Sequence, residues 1–271
     1  MSEANFINKE ARRVLKETSR TFYIPITYLA QGLQEAVASA YLCMRAIDEI
    51  EDHPELPANE KSHLLLSIHQ ILKKTTYKED LTSLFQPYQS VLPDVTLKLG
   101  DWIGVCPSGI VERMLDATAT MASGMAKWVE KDWVIKSEGD LDEYTYYVAG
   151  LVGVMLNDIW KWYDNTETDE DLAIAFGRGL QAVNILRNYK EDETRGVNFF
   201  PDGWGLEEMF AYARKNLEMA DLYMTSLKTD SIIKFCKIPL VLAHGTLKAL
   251  MEGKEKMSRI EVLKAVGQVV K

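Results

Sequence analysis

Apolar residues recur at helical spacing along nearly the whole 271-residue chain, and no long stretch alternates with period two. That pattern rules out a sheet as the main scaffold and predicts an all-α fold. Prolines and glycines punctuate it at Pro25, at Pro54 and Pro57, at Pro87 and Pro93, at Pro107 with Gly109, and at Pro201 with Gly203 and Gly205. Helices are expected between these marks, at roughly 4–20, 28–52, 59–74, 78–87, 109–134, 139–163, 168–192, 206–227, 230–252 and 258–270. No gap has the composition of a flexible linker, and no repeat of solenoid period is present, so residues 1–271 are read as a single all-helical domain.

Composition narrows the partners. A formal net charge of -9 argues against nucleic acid, because a phosphate-binding surface needs a basic excess. An acidic protein can still take a phosphate through a bridging metal ion. Cys43, Cys106 and Cys236 follow no metal-ligand spacing and leave an odd count, which predicts reduced core residues of a cytoplasmic protein. The opening MSEANFINKEARRVLKE lacks the apolar stretch of a signal peptide, and the run Tyr146–Leu156 falls well short of the roughly 20 residues of a spanning helix. No transmembrane segment is expected.

Two polar stripes break the otherwise ordinary pattern. MRAIDEIEDHPEL crowds acidic side chains at Asp48, Glu49, Glu51, Asp52 and Glu55, directly after the uncharged ASAYLC. On a helix over 28–52, at about 100° per residue, Tyr41, Arg45, Asp48 and Asp52 fall within about 60° of arc, with Glu49 beside them. Like charges four apart cost a helix about 0.2–0.5 kcal/mol, and carboxylates at its C-terminus oppose its dipole. A bound cation reverses both signs. In GRGLQAVNILRNYKEDETRG, Gln181, Asn184, Asn188 and Asp192 again share one face, among Ala182, Val183, Ile185 and Leu186. A stripe of amides on a buried helix must find partners or carry a desolvation cost of about 1–3 kcal/mol each.

Oxygen ligands stepping along two helices suit a hard divalent cation such as magnesium. With eleven methionines and many aromatics to line an apolar cavity, the pattern fits a diphosphate on a greasy tail. The carboxylates would hold the metal, the metal would neutralise the diphosphate, and Arg45 and Arg187 would add direct donors.

Four blocks carry a family likeness: TSRTF (18–22), YLCMRAIDEIED (41–52), YTYYVAGLVG (144–153) and LQAVNILRNYKED (180–192), with FCKIPLVLAHGTL (235–247) as a fifth. In these the chain resembles the squalene/phytoene synthase family, a branch of the all-helical class I isoprenoid synthases whose helical bundle surrounds a central cavity. The resemblance implies a prenyl diphosphate substrate such as farnesyl diphosphate, with Ser19, Arg20, Tyr41 and Arg45 near the diphosphates. It implies magnesium at Asp48 and Asp52 on the first helix and at Asn184, Asn188 and Asp192 on the second, with Gln181 and Arg187 binding substrate. Tyr144 matches the tyrosine that the family uses in proton transfer or cation stabilisation. Squalene synthases also use NADPH in a final reduction, for which the residues here mark no site. An oily product would bring transient contact with a membrane surface.

Each feature also has a structural reading. TSRTF can be a helix cap, Tyr144, Tyr146 and Tyr147 can be core aromatics, and Gly150 and Gly153 can serve close helix packing. The glycines of AFGRGLQ echo a nucleotide loop, but no strand precedes them. A non-catalytic helical scaffold would need nothing at either stripe.

The sequence departs from the family where its second motif reads Asp-x-x-x-Asp: the first position here is Asn188. Val197 stands where an arginine is common, with Arg195 two places earlier. Losing one anionic oxygen weakens a hard-cation site. Head-to-head condensation needs two prenyl diphosphates held together, whereas ionising one needs less. The departures therefore favour a farnesyl diphosphate phosphatase releasing farnesol, a hydrolase, over a transferase making squalene, dehydrosqualene or phytoene.

Overall fold

The computed structural model describes residues 7–19, 21–74, 76–194 and 196–270, of which the side chain of Val270 is left aside. Among the described residues the secondary structure is helical throughout, with no strand, as the periodicity predicts. The chain divides into two compact units, residues 1–132 with 161–163, and residues 133–160 with 164–271.

In the first unit, α1 (Lys9–Thr18), α2 (Tyr23–Thr27), α4 (Ala58–Leu72), α6 (Asp94–Leu97), α7 (Leu99–Ile103) and α8 (Val111–Glu130) gather around α3 (Leu33–Glu51), while α5 (Tyr77–Phe85) lies on α4 and α7. The centrality of α3 follows from its sequence. Ala36, Ala38, Ala40 and Ala46 let neighbours approach, and Leu42, Cys43, Ile47 and Ile50 fill the space between. Its buried polar atoms are satisfied from outside: Ser39 Oγ donates to the Trp102 carbonyl at 2.7 Å, and Thr96 Oγ1 donates to the Ala46 carbonyl at 3.0 Å.

The expected helix over 28–52 begins later, at Leu33. Gly32 takes φ +83, and its N–H is capped by Glu35 Oε2 at 2.6 Å. Pro25 sits in the first turn of α2, where its missing N–H is harmless. The stretch between 87 and 109, read as connection, contains α6 and α7, both too short for a periodic signal. Residues 4–6 of the first expected helix lie outside the described residues.

The second unit centres on α11 (Glu170–Thr194), flanked by α12 (Leu206–Met224) and α13 (Asp230–Met251), with α14 (Arg259–Val270) against α13. The expected single helix over 139–163 is instead α9 (Glu138–Thr145), a π-helical turn at Tyr146–Gly150, and α10 (Leu151–Asp164). Glycines set how close this segment comes to α11. A Cβ at Gly153 would lie 2.1 Å from the Ala173 carbonyl oxygen, and one at Gly177 would lie 2.2 Å from that of Ala149. The glycines of AFGRGLQ thus serve backbone-to-backbone contact in a helix.

Cys43 and Cys236 are buried and Cys106 partly so, all three as free thiols. Among the described residues no helix is long and apolar enough to cross a membrane.

Gly153→Ala should lower stability by about 1–3 kcal/mol, because neither backbone can yield without moving a helix. Gly267→Ala in α14, where nothing lies within 4 Å, should raise it by about 0.5–1 kcal/mol. Urea unfolding of the two variants beside the wild type measures both.

Candidate active site

In the first unit the site grows from the last three turns of α3. Arg45 donates from Nε to Glu49 Oε1 at 2.9 Å and from Nη2 to the same oxygen at 2.5 Å, and its Nη1 donates to Asp48 Oδ2 in a short contact. Glu49, which the helical wheel put beside the stripe, is therefore committed to Arg45. The third acid of the cluster is Glu51: single carboxylate oxygens of Asp48, Glu51 and Asp52 all lie within 4.8 Å of one another.

Glu51 is 3% exposed, although the wheel turned it about 60° away from Asp48. Its position three residues after Asp48 and next to Asp52 was the available signal. Beside it, Lys61 Nζ donates to the Glu51 carbonyl at 2.6 Å, and burial lowers the Lys61 pKa against the pull of Glu51 and Asp52.

Burial, then the charge of Asp52, push the Asp48 pKa up from 3.8 to about 7, with Arg45 opposing. A carboxylate cluster that raises its own proton affinity is a donor set in want of a cation, and three hard oxygens suit magnesium. Above the cluster on the same face, Tyr41 donates its hydroxyl to the Thr18 carbonyl at 3.0 Å, and burial raises its pKa. Ser19 is buried and its Oγ accepts the Phe22 N–H at 2.9 Å in the turn between α1 and α2. Arg20 lies outside the described residues.

In the second unit, α11 carries Gln181, Asn184 and Asn188 half-buried, Arg187 exposed and Asp192 buried. The amides partner within the stripe: Asn184 Nδ2 reaches Gln181 Oε1 at 3.5 Å, and Arg187 Nε donates to Asn188 Oδ1 at 3.2 Å. The second bond occupies Asn188 Oδ1, one of the oxygens that the resemblance offers to a metal, and the stripe brings a single carboxylate, so the fit to a metal is poorer here than on α3. At the helix end the Val197 N–H closes onto the Asp192 carbonyl at 3.0 Å, with Gly196 at φ +76, so this valine helps terminate α11. Arg195 lies outside the described residues.

Tyr144 is 6% exposed and stacks on Phe199, with ring centroids 5.0 Å apart and planes 18° apart. Phe199 was not anticipated, and its signal was the aromatic pair in NFFP just after the polar helix. The π turn starts two residues beyond Tyr144, and such turns recur at functional sites. On the neighbouring face, Tyr212 donates to Asp142 Oδ1 at 2.7 Å, and Arg178 Nη2 donates to the Asp142 carbonyl at 2.9 Å.

Residues 15–205 match the family model described as squalene/phytoene synthase. The chain belongs to that family. It is 33% identical over 282 residues to the squalene synthase of Dictyostelium discoideum, covering 90% of this chain and 65% of the relative. To squalene synthase 1 of Arabidopsis thaliana it is 30% identical over 274 residues, covering 91% and 65%. The chain thus spans just under two thirds of the length of these relatives.

Among solved structures, a ligand complex of TcSQS superposes with a TM-score of 0.76 at 24% identity, covering 96% of this chain and 86% of that one. A dehydrosqualene synthase in complex with a ligand gives 0.62 at 18% identity, covering 96% and 94%. The fold is therefore that of the class I isoprenoid synthases. The expectation of a farnesol-releasing phosphatase draws no support from these matches, which are with synthases. One amide in the second motif is too small a departure to outweigh likeness along nine tenths of the chain.

Asp48 binds a proton more tightly in the folded chain than in the unfolded one, so it removes stability as pH climbs from about 4 towards about 7, and the loss persists above that. Asp48→Asn should therefore stabilise the metal-free protein at pH 8 and leave it unchanged below pH 4. The side chain is 29% exposed and Glu49 keeps Arg45 paired, so about 1–2 kcal/mol is expected after solvent screening. Thermal melts in EDTA across pH check the sign.

Proposed function

We propose that the chain is a head-to-head prenyl diphosphate synthase of the squalene or dehydrosqualene type, acting on farnesyl diphosphate. One observation carries the reading most directly: Asp48, Glu51 and Asp52 converge beside Arg45 on a buried helix, in a chain of the squalene/phytoene synthase family. Ionised Asp48 lowers the stability of the fold rather than adding to it.

Magnesium at that cluster would supply the charge that makes diphosphate a leaving group. Arg45 bonds Asp48 of the cluster and Glu49 outside it and would lie beside the phosphoryl oxygens, while Tyr41, tied to the Thr18 carbonyl, would hold the end of α1 next to them. Once the allylic C–O bond breaks, the electron pair leaves with diphosphate and a carbocation remains. The alkene of a second prenyl diphosphate adds to it, a proton is lost, and a cyclopropyl diphosphate results. Tyr144 and Phe199 offer stacked π faces suited to stabilising positive charge, and the burial of Tyr144 keeps water from its ring.

NADPH distinguishes the two end products, because squalene requires a hydride and dehydrosqualene does not. The purified protein, given radiolabelled farnesyl diphosphate and magnesium with and without NADPH, should form a thirty-carbon hydrocarbon or its cyclopropyl diphosphate precursor. Farnesol as the main product would overturn the proposal in favour of hydrolysis. No product, together with no thermal shift on adding magnesium and diphosphate, would favour a helical scaffold.

A further inference from the structure

The two arginines of the ligand-bearing helices stand in different company. Arg45 bonds to two carboxylates, Asp48 and Glu49, which offset its charge. Arg187 is exposed, and its Nε donates at 3.2 Å to Asn188 Oδ1, a neutral oxygen. A guanidinium has five donors and no acceptor, so one bond to an amide leaves its charge and most of its fork for an anion.

The same bond bears on the metal. Asn188 has one side-chain oxygen, and a cation already lies at hydrogen-bonding distance from it. A divalent ion on that oxygen would meet the guanidinium as a like charge. Gln181 Oε1 accepts from Asn184 Nδ2, which leaves Asn184 Oδ1 as the other neutral oxygen of the stripe. Asp192 is left as the one carboxylate of the stripe, and magnesium is ordinarily bound by one or two carboxylates together with substrate phosphates. With an acid at position 188 the balance would differ, since the carboxylate could serve the arginine and the metal together.

We infer that, without diphosphate, α11 holds no divalent cation, and that Asn188 instead positions Arg187 as a fixed positive charge doing the work of a metal ion there. The inference rests on the reading of the chain as a prenyl diphosphate enzyme, which supplies the anion. Two measurements on the full chain test it without turnover.

Manganese, titrated alone and followed by electron paramagnetic resonance, should bind with the same stoichiometry in wild type and in Asp192→Asn. A site present in wild type and lost in that variant overturns the inference. Inorganic pyrophosphate, titrated calorimetrically in EDTA, should bind wild type and bind Arg187→Ala about tenfold more weakly. Asn188→Ala should weaken binding in the same direction, and thermal melting checks that the exposed Arg187 substitution leaves the fold intact. No binding to wild type, or equal affinity in Arg187→Ala, overturns the inference. Farnesol release in the turnover experiment would instead remove the proposed condensation and leave these two results standing.

Discussion

Carboxylates that share a helix end repel one another, and in this chain they do so on a helix end that runs from buried Glu51 to exposed Asp52. Asp48 sits in that field, next to Asp52 and in reach of Glu51, with its proton affinity raised by burial and by its neighbours. Arg45 relieves only part of it, since its guanidinium is divided between Asp48 and Glu49. The unit around α3 must therefore be stable enough from other sources to hold the cluster in place. The alanines of α3 and the large buried side chains of Trp102, Trp128 and Leu64 supply that stability. Stability and chemistry are set against each other along one helix, which is the usual arrangement where a site must be ready before its ligand arrives.

The second unit solves a different problem. Its central helix is polar on one stripe and must still be packed on its other faces. Gly153 and Gly177 allow that by removing side chains where backbones meet, and Ala173 and Ala149 stand opposite them. The amide stripe then satisfies itself through Gln181–Asn184 and Arg187–Asn188 pairs. Where α3 accumulates negative charge, α11 keeps an exposed cation.

Much of this was legible in the residues themselves. Helical spacing gave the fold class, and the recurrence of polar residues at three- and four-residue steps marked both stripes. The wheel failed at Glu49 and Glu51 for a physical reason. It ranks residues by angle alone, but Arg45 drew Glu49 aside, and the Glu51 side chain brings an oxygen within 4.8 Å of those of Asp48 and Asp52. The reading of Asn188 counted a missing charge, and the structure adds what the amide is bonded to. α6 and α7 were invisible because four or five residues cannot display a period. Phe199 was invisible because stacking on Tyr144 brings together residues more than fifty positions apart.

The π turn at Tyr146–Gly150 carries a consequence for how the segment is built. Such a turn uses more residues than an α turn for the same advance, so α9 and α10 are out of phase by about one residue. The wider turn absorbs that extra residue, and winding the same residues as regular α-helix would rotate everything upstream by about 100° relative to α10. Tyr144 would then swing away from Phe199 while the glycine contacts of α10 stayed put. The azimuth of that phenol is in this sense written by chain length, one surplus residue acting as a fixed angular offset.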